Sequence, residues 1–192
     1  MHNLQDSTQT AKQVLPPVAY TTPLSGLHLQ GDTLAEHLQN RSDGPQLLVF
    51  VRHFGCIFCR EMVADLRKAT RKNPQYPAVT LFYQGTIEEG RRFFRNLWPG
   101  VPAVADKPKY FYNAFGLNRG GTREMFGPKV WACGVRAAAK GYFIGKPVGD
   151  PWVMPGLFLV QGREIRWQYD FAHAGDHPNF SRLPQQLGLA QP

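Results

Sequence analysis

Short apolar runs alternate along this chain with stretches whose apolar residues recur at helical spacing. Leu47-Leu48-Val49-Phe50-Val51 is wholly apolar and reads as a buried strand. Ala78–Tyr83 reads as a second strand, Val101–Ala105 as a short third, and Gly26–Leu29 as a fourth. Near the C-terminus, Gly156–Val160 and Glu164–Tyr169 flank Gln161-Gly162-Arg163, which predicts a hairpin.

Helical patterns lie between these runs. Asp32-Thr33 precedes Leu34, Ala35 and Leu38, so a capped helix is expected to run through Gln39 with those three on one face. Arg60–Ala69 is amphipathic, and its helix should stop near Pro74. Thr86 and Glu89 form the Thr-x-x-Glu pattern of a capping box, ahead of Phe93, Phe94 and Leu97. Lys107–Phe115 predicts a short aromatic helix. Pro128–Ala139 predicts a longer one, with Val130, Trp131 and Val135 facing inward. Residues 1–22 are polar, contain Pro16-Pro17 and show no period, so a flexible arm is expected there, followed by a single domain over 23–192. Strand–helix–strand followed by a hairpin and a helix predicts an α/β fold. The plan is a thioredoxin-like three-layer sandwich with a mixed central sheet and an insertion before the C-terminal hairpin.

Composition narrows the class. The 192 residues are 43% hydrophobic and 12% aromatic, which suits one folded domain rather than a disordered chain. Three cysteines are too few for a disulfide-stapled secreted scaffold. No cationic leader with an apolar run opens the sequence and no apolar stretch is long enough to span a bilayer, so a cytoplasmic protein with no membrane partner is expected. The net charge of +8 is spread along the chain without a nucleic-acid-binding motif, so no nucleic-acid partner is expected either.

The chemistry concentrates at Cys56-Ile57-Phe58-Cys59, between a strand and a helix. That placement is the one a dithiol redox centre uses. Cys56 falls at the helix N-terminus, where unpaired N–H groups favour a thiolate. Arg52, His53 and Arg60 lie close in sequence and are expected to add positive potential. Cys59 lies one turn further in, which makes Cys56 the attacking thiol and Cys59 the resolving one. Two other readings stand beside this one: a pair of inert buried cysteines, and half of a zinc site completed by Cys133, His173 or His177. Pro155, ahead of the hairpin, is placed to lie beside the dithiol as a cis-proline or to serve as a simple strand-entry residue. Cys133 reads as a buried, inert thiol. His173, Asp176 and His177 read as a turn, or as a polar cluster for a metal or the dithiol. No resident metal is expected.

The run Val49-Phe50-Val51-Arg52-His53-Phe54-Gly55-Cys56-Ile57-Phe58-Cys59-Arg60-Glu61 resembles the peroxiredoxin-like proteins of AhpC/TSA type, including the selenoprotein L and peroxiredoxin-like 2 relatives. Gly149-Asp150-Pro151, Pro155–Val160 and Gly175-Asp176-His177-Pro178 look like the same group. The resemblance implies an antioxidant oxidoreductase that reduces peroxides or disulfides through Cys56 and Cys59. It would bind no organic cofactor and would be regenerated by an external thiol reductant such as thioredoxin or glutathione; a homodimer is allowed. Two positions depart from true peroxiredoxins: His53 stands where they carry Thr, and Pro155 where they carry Arg. The alternative to an enzyme is a redox-sensing or protein-interaction module that uses the same dithiol as a switch.

Overall fold

The structure, a computed structural model, describes residues 13–189. In chain order its elements are β1 (Gln13–Val14), α1 (Pro17–Thr21), β2 (Gly26–Leu27), α2 (Leu34–Arg41), β3 (Gln46–Phe50), α3 (Ile57–Lys72), β4 (Ala78–Tyr83) and α4 (Ile87–Leu97). They continue with β5 (Ala103–Ala105), α5 (Tyr110–Ala114), α6 (Thr122–Phe126), α7 (Pro128–Ala139), β6 (Gly156–Gln161), β7 (Glu164–Gln168) and α8 (Leu183–Gln186). One seven-stranded sheet has the order β1-β7-β6-β3-β4-β5-β2. β3, β4 and β5 are parallel, and β6 joins β3 antiparallel, so the sheet is mixed.

β3 is buried along its whole length because both faces are covered. Leu47, Val49 and Val51 point into a core shared with Met62, Val63 and Leu66 of α3 and Phe93 and Phe94 of α4. Leu48 and Phe50 point the other way, against Leu34 and Leu38 of α2 and Phe111 and Tyr112 of α5. This period-two division produces the three layers. The Phe50 and Phe82 rings stack across the parallel pair at 4.4 Å. The Tyr112 hydroxyl donates to the carbonyls of Val51 and Phe82, which ties α5 to the strand ends from which the redox segment leaves.

The capping box at Thr86 is present in full. Other expectations need correction. Residues 1–12 lie outside the described part, but from Gln13 onward the expected arm is held to the body: β1 pairs with β7, and Leu15 and Ala19 are buried. Leu15, whose N–H donates to the Arg163 carbonyl, and Ala19 of α1 fill a slot that a polar-looking sequence did not reveal. On α2, His37 joins Leu34 and Leu38 inside, where its Nε2 meets the Thr80 hydroxyl at 2.9 Å. Burial, then the Arg41 charge, lowers its pKa to about 4, so it sits there neutral. On α7 only Val130 and Ala137 face inward; Trp131 and Val135 are 73% and 72% exposed. The helix turns Arg136 and Lys140 toward α3 instead, because a buried carboxylate waits there. α6 was not foreseen, and no peptide bond among the described residues is cis, so Pro155 enters β6 through a trans bond.

Two substitutions separate the real core from the expected one. Leu66→Ala, at a fully buried position, should cost ~2–5 kcal/mol of unfolding free energy. Trp131→Ala should cost no more than ~0.5 kcal/mol in the same urea titration.

Candidate active site

Beyond Phe50 the chain leaves the C-terminal end of β3 and reaches α3 through Val51–Gly55. Phe54 anchors this turn by stacking on Phe93 at 4.1 Å and on Tyr83 at 5.1 Å. Gly55 is required by close approach: a Cβ there would lie 2.4 Å from the Gly145 carbonyl oxygen. The Gly145 N–H donates to the Gly55 carbonyl at 3.0 Å, so the loop after α7 packs directly on the turn. Cys56 is then the N-cap residue of α3, with extended backbone, and Arg60 N–H donates to its carbonyl.

The two thiols have different environments. The Cys59 thiol donates to Cys56, the Arg52 guanidinium lies 3.5 Å from the Cys56 sulfur, and the backbone N–H groups of Cys59 and Phe58 point at it. Against the opposing effect of burial, these lower the Cys56 pKa to about 6. Cys59 is pushed well above the ordinary thiol range, first by burial and then by its role as donor beside a neighbouring thiolate. Cys56 is thus the thiolate at neutral pH, and Cys59 the protonated thiol.

Arg52 is buried, at 5% exposure. Its remaining donors are met by the carbonyls of Val153 (3.1 Å) and Pro151 and by the sulfur of Met125 (2.9 Å). All three partners belong to the segment between β5 and β6, and sequence reasoning had assigned none of them. Gln84 fixes the backbone on the other side: its side-chain N–H donates to the Arg52 carbonyl at 2.7 Å, while its oxygen accepts from Asp150 N–H at 3.0 Å.

The other expected cations do not contribute in the same way. His53 has its pKa lowered to about 4, by burial and then by Arg52, so it is neutral, and its Nδ1 has no hydrogen-bond partner. Arg60 turns away from the sulfur to lie over the Phe93 ring at 5.2 Å. Pro155 shares a small cavity with Cys59. With Arg52, Phe58, Cys59, Met62, Ala174 and Asp176 it lines a cavity of about 10 Å³, room for about one water molecule. Cys56 and Cys59 are only 5% and 2% exposed.

The polar cluster near the C-terminus divides. Asp176 reaches the dithiol cavity and accepts from Tyr169 O–H and Ala172 N–H, closing a turn in which its own N–H donates to His173. His177 turns to Glu61 instead, at 3.7 Å. Glu61 is fully buried and receives two hydrogen bonds from Arg136, at 2.9 and 2.8 Å, and Lys140 at 2.8 Å. Glu61, Asp65 and His177 are close enough to chelate a cation. Arg136 and Lys140 already neutralise the two carboxylates, so the group fits an ion-pair network better than a metal. Cys133 is half-buried rather than enclosed, and its sulfur lies 3.5 Å from Arg136.

A mixed sheet carrying a dithiol at the N-terminus of the helix that follows a central parallel strand defines a thioredoxin-like fold of peroxiredoxin type. A profile described as AhpC/TSA antioxidant enzyme matches residues 63–173, more than half of the chain. The chain belongs to the AhpC/TSA antioxidant enzyme family. The matched region opens at Val63, one turn beyond Cys59, so membership rests on the body of the domain rather than on the dithiol. Peroxiredoxin Q of Xanthomonas campestris superposes with a TM-score of 0.56 at 14% identity, over 93% of this chain and 96% of that one. The bacterioferritin comigratory protein of the same organism, described for its alkyl peroxide reduction, gives 0.55 at 14% identity over 93% and 96%. The MTB protein dsbF gives 0.53 at 11% identity over 91% and 98%. These likenesses are of fold. No curated protein matches the sequence.

The electrostatics predict a pH profile. A thiol with a lowered pKa is protonated and slow below that value, ionised and fast above it. Alkylation of Cys56 by iodoacetamide should therefore rise to a plateau with a midpoint near about 6. Arg52→Met should move the midpoint upward, toward the free-thiol value of about 8.5, as read by mass spectrometry of the labelled peptide.

Proposed function

We propose that this protein is a thiol peroxidase in which Cys56 attacks a small hydroperoxide and Cys59 resolves the product. The observation that carries the reading is the asymmetry of the pair: Cys56 is held as a thiolate by Arg52 and by the thiol of Cys59. The thiolate attacks the terminal oxygen of ROOH, the O–O bond breaks, and RO⁻ leaves as ROH after taking a proton. Cys56 becomes a sulfenic acid, two electrons having passed to the peroxide. The Cys59 thiol then attacks that sulfur, releasing water and forming the Cys56–Cys59 disulfide. An external thiol reductant, of thioredoxin or glutathione type, returns two electrons and two protons.

Arg52 takes the place of the Thr and Arg missing at His53 and Pro155. Its guanidinium lies 3.5 Å from the Cys56 sulfur, so it both favours the thiolate and can polarise a peroxide that reaches that sulfur. The near-complete burial of both sulfurs supports a small oxidant over a protein disulfide. Neighbours in fold include a protein described for alkyl peroxide reduction, which agrees with that choice. Pro155 beside Cys59 favours a second reading, in which the oxidant is a disulfide and Cys56 forms a mixed disulfide that Cys59 resolves.

Steady-state assays with a thioredoxin system decide between them. Hydrogen peroxide or a short alkyl hydroperoxide should be turned over, Cys56→Ser should abolish this, and Cys59→Ser should stop after a single turnover at the sulfenic acid. Faster reduction of insulin disulfides than of either peroxide would favour the second reading. A disulfide that forms stoichiometrically and never cycles would overturn both and leave a sensor.

A further inference from the structure

We infer that the outer face of the insertion between β5 and β6 binds the surface of an anionic lipid bilayer. Phe126, Trp131, Val135, Phe143 and Ile144 all belong to residues 126–144, and each is between 64% and 82% exposed. Trp131 and Val135 are four apart on α7, so they share a face. Ala132, Ala138 and Ala139 are exposed beside them, and no charge interrupts that outward surface. A solvated helix face ordinarily carries charges. An exposed apolar surface of this kind marks an interaction site.

Charge selects the occupant. Residues 122–147 carry Arg123, Lys129, Arg136, Lys140 and Lys146 against a single acid, Glu124. Arg136 and Lys140 are matched by Glu61 and Asp65 of α3, but among the described residues Arg123, Lys129 and Lys146 make no ion pair. Beyond α7, Tyr142 lines an open groove of about 550 Å³ with Arg67, Lys68, Arg71 and Lys72, of which the last three also make no ion pair among the described residues. A second copy of this chain would bring like charges together across the patch. An anionic surface takes both components: aromatic and aliphatic side chains enter the headgroup boundary while the flanking lysines and arginines face the phosphates. No helix among the described residues is long and apolar enough to cross a membrane, so contact would be peripheral. The inference runs against the sequence expectation of no membrane partner, and it stands apart from the dithiol chemistry.

The test is sedimentation of the full-length protein with large unilamellar vesicles of phosphatidylcholine, with and without phosphatidylglycerol. Binding to the anionic vesicles should exceed binding to pure phosphatidylcholine by about tenfold or more and fall as salt is raised. Trp131→Ser with Val135→Ser, and separately Phe143→Ser with Ile144→Ser, should each weaken it several-fold while leaving the melting temperature and the Cys56 titration unchanged. Absence of binding to anionic vesicles overturns the inference. So does binding that ignores both apolar double variants, since charge alone would then explain it. A dimer in size-exclusion chromatography that dissociates on Trp131→Ser assigns the face to a second copy and overturns it equally.

Discussion

A guanidinium withdrawn from water must find a partner for its donors and a counter-charge for its cation, or the cost of burying it is several kcal/mol. Arg52 meets both needs at the end of β3. Two carbonyls and a thioether take its N–H groups, and the remaining reach goes to the sulfur of Cys56. Among the described residues no carboxylate forms an ion pair with it, so its charge is available to a thiolate at Cys56. Desolvation, which alone would keep Cys56 protonated, is outweighed by the hydrogen bond from the Cys59 thiol together with the Arg52 charge. Cys59, one turn deeper and without a cation of its own, keeps its proton. The hydrogen bond between the thiols, the deeper burial of Cys59 and the Arg52 charge at the Cys56 sulfur thus assign different chemistry to two identical side chains three residues apart.

Much of this was readable in the sequence wherever a local rule governs the outcome. The apolar run at 47–51, the capping box at Thr86 and the hairpin around Gly162 are each set by residues within one short window. So is the position of Cys56 at the first turn of α3. Where tertiary contacts decide, local reading failed. His53 looks cationic in sequence, but burial beside Arg52 neutralises it. Trp131 and Val135 look like core by type; α7 rotates them outward because the salt bridges from Arg136 and Lys140 to buried Glu61 fix its other side against α3. Met125 and the carbonyl of Val153 had no motif to betray them, and the family-like Gly149-Asp150-Pro151 did not say that the Pro151 carbonyl would accept from Arg52, since a backbone oxygen can belong to any residue.

The insertion therefore faces two ways. Its inner side finishes the active site by holding Arg52 and packing Gly145 on Gly55. Its outer side carries apolar bulk without the charges that solvent would favour. Glu61 joins the two roles, since the carboxylate that orients α7 lies on the helix that begins at the dithiol.

The partners that restrain Arg52 are far from it along the chain. The carbonyl of Val153 lies 101 residues downstream and the sulfur of Met125 lies 73. During synthesis the strand, the turn and both cysteines emerge long before the groups that fix the guanidinium. Until the last third of the chain has folded back, Arg52 lacks the groups that hold its guanidinium against the Cys56 sulfur. The positive charge at the reactive sulfur is therefore set by the completed fold, although the sulfur and its cation are neighbours in sequence.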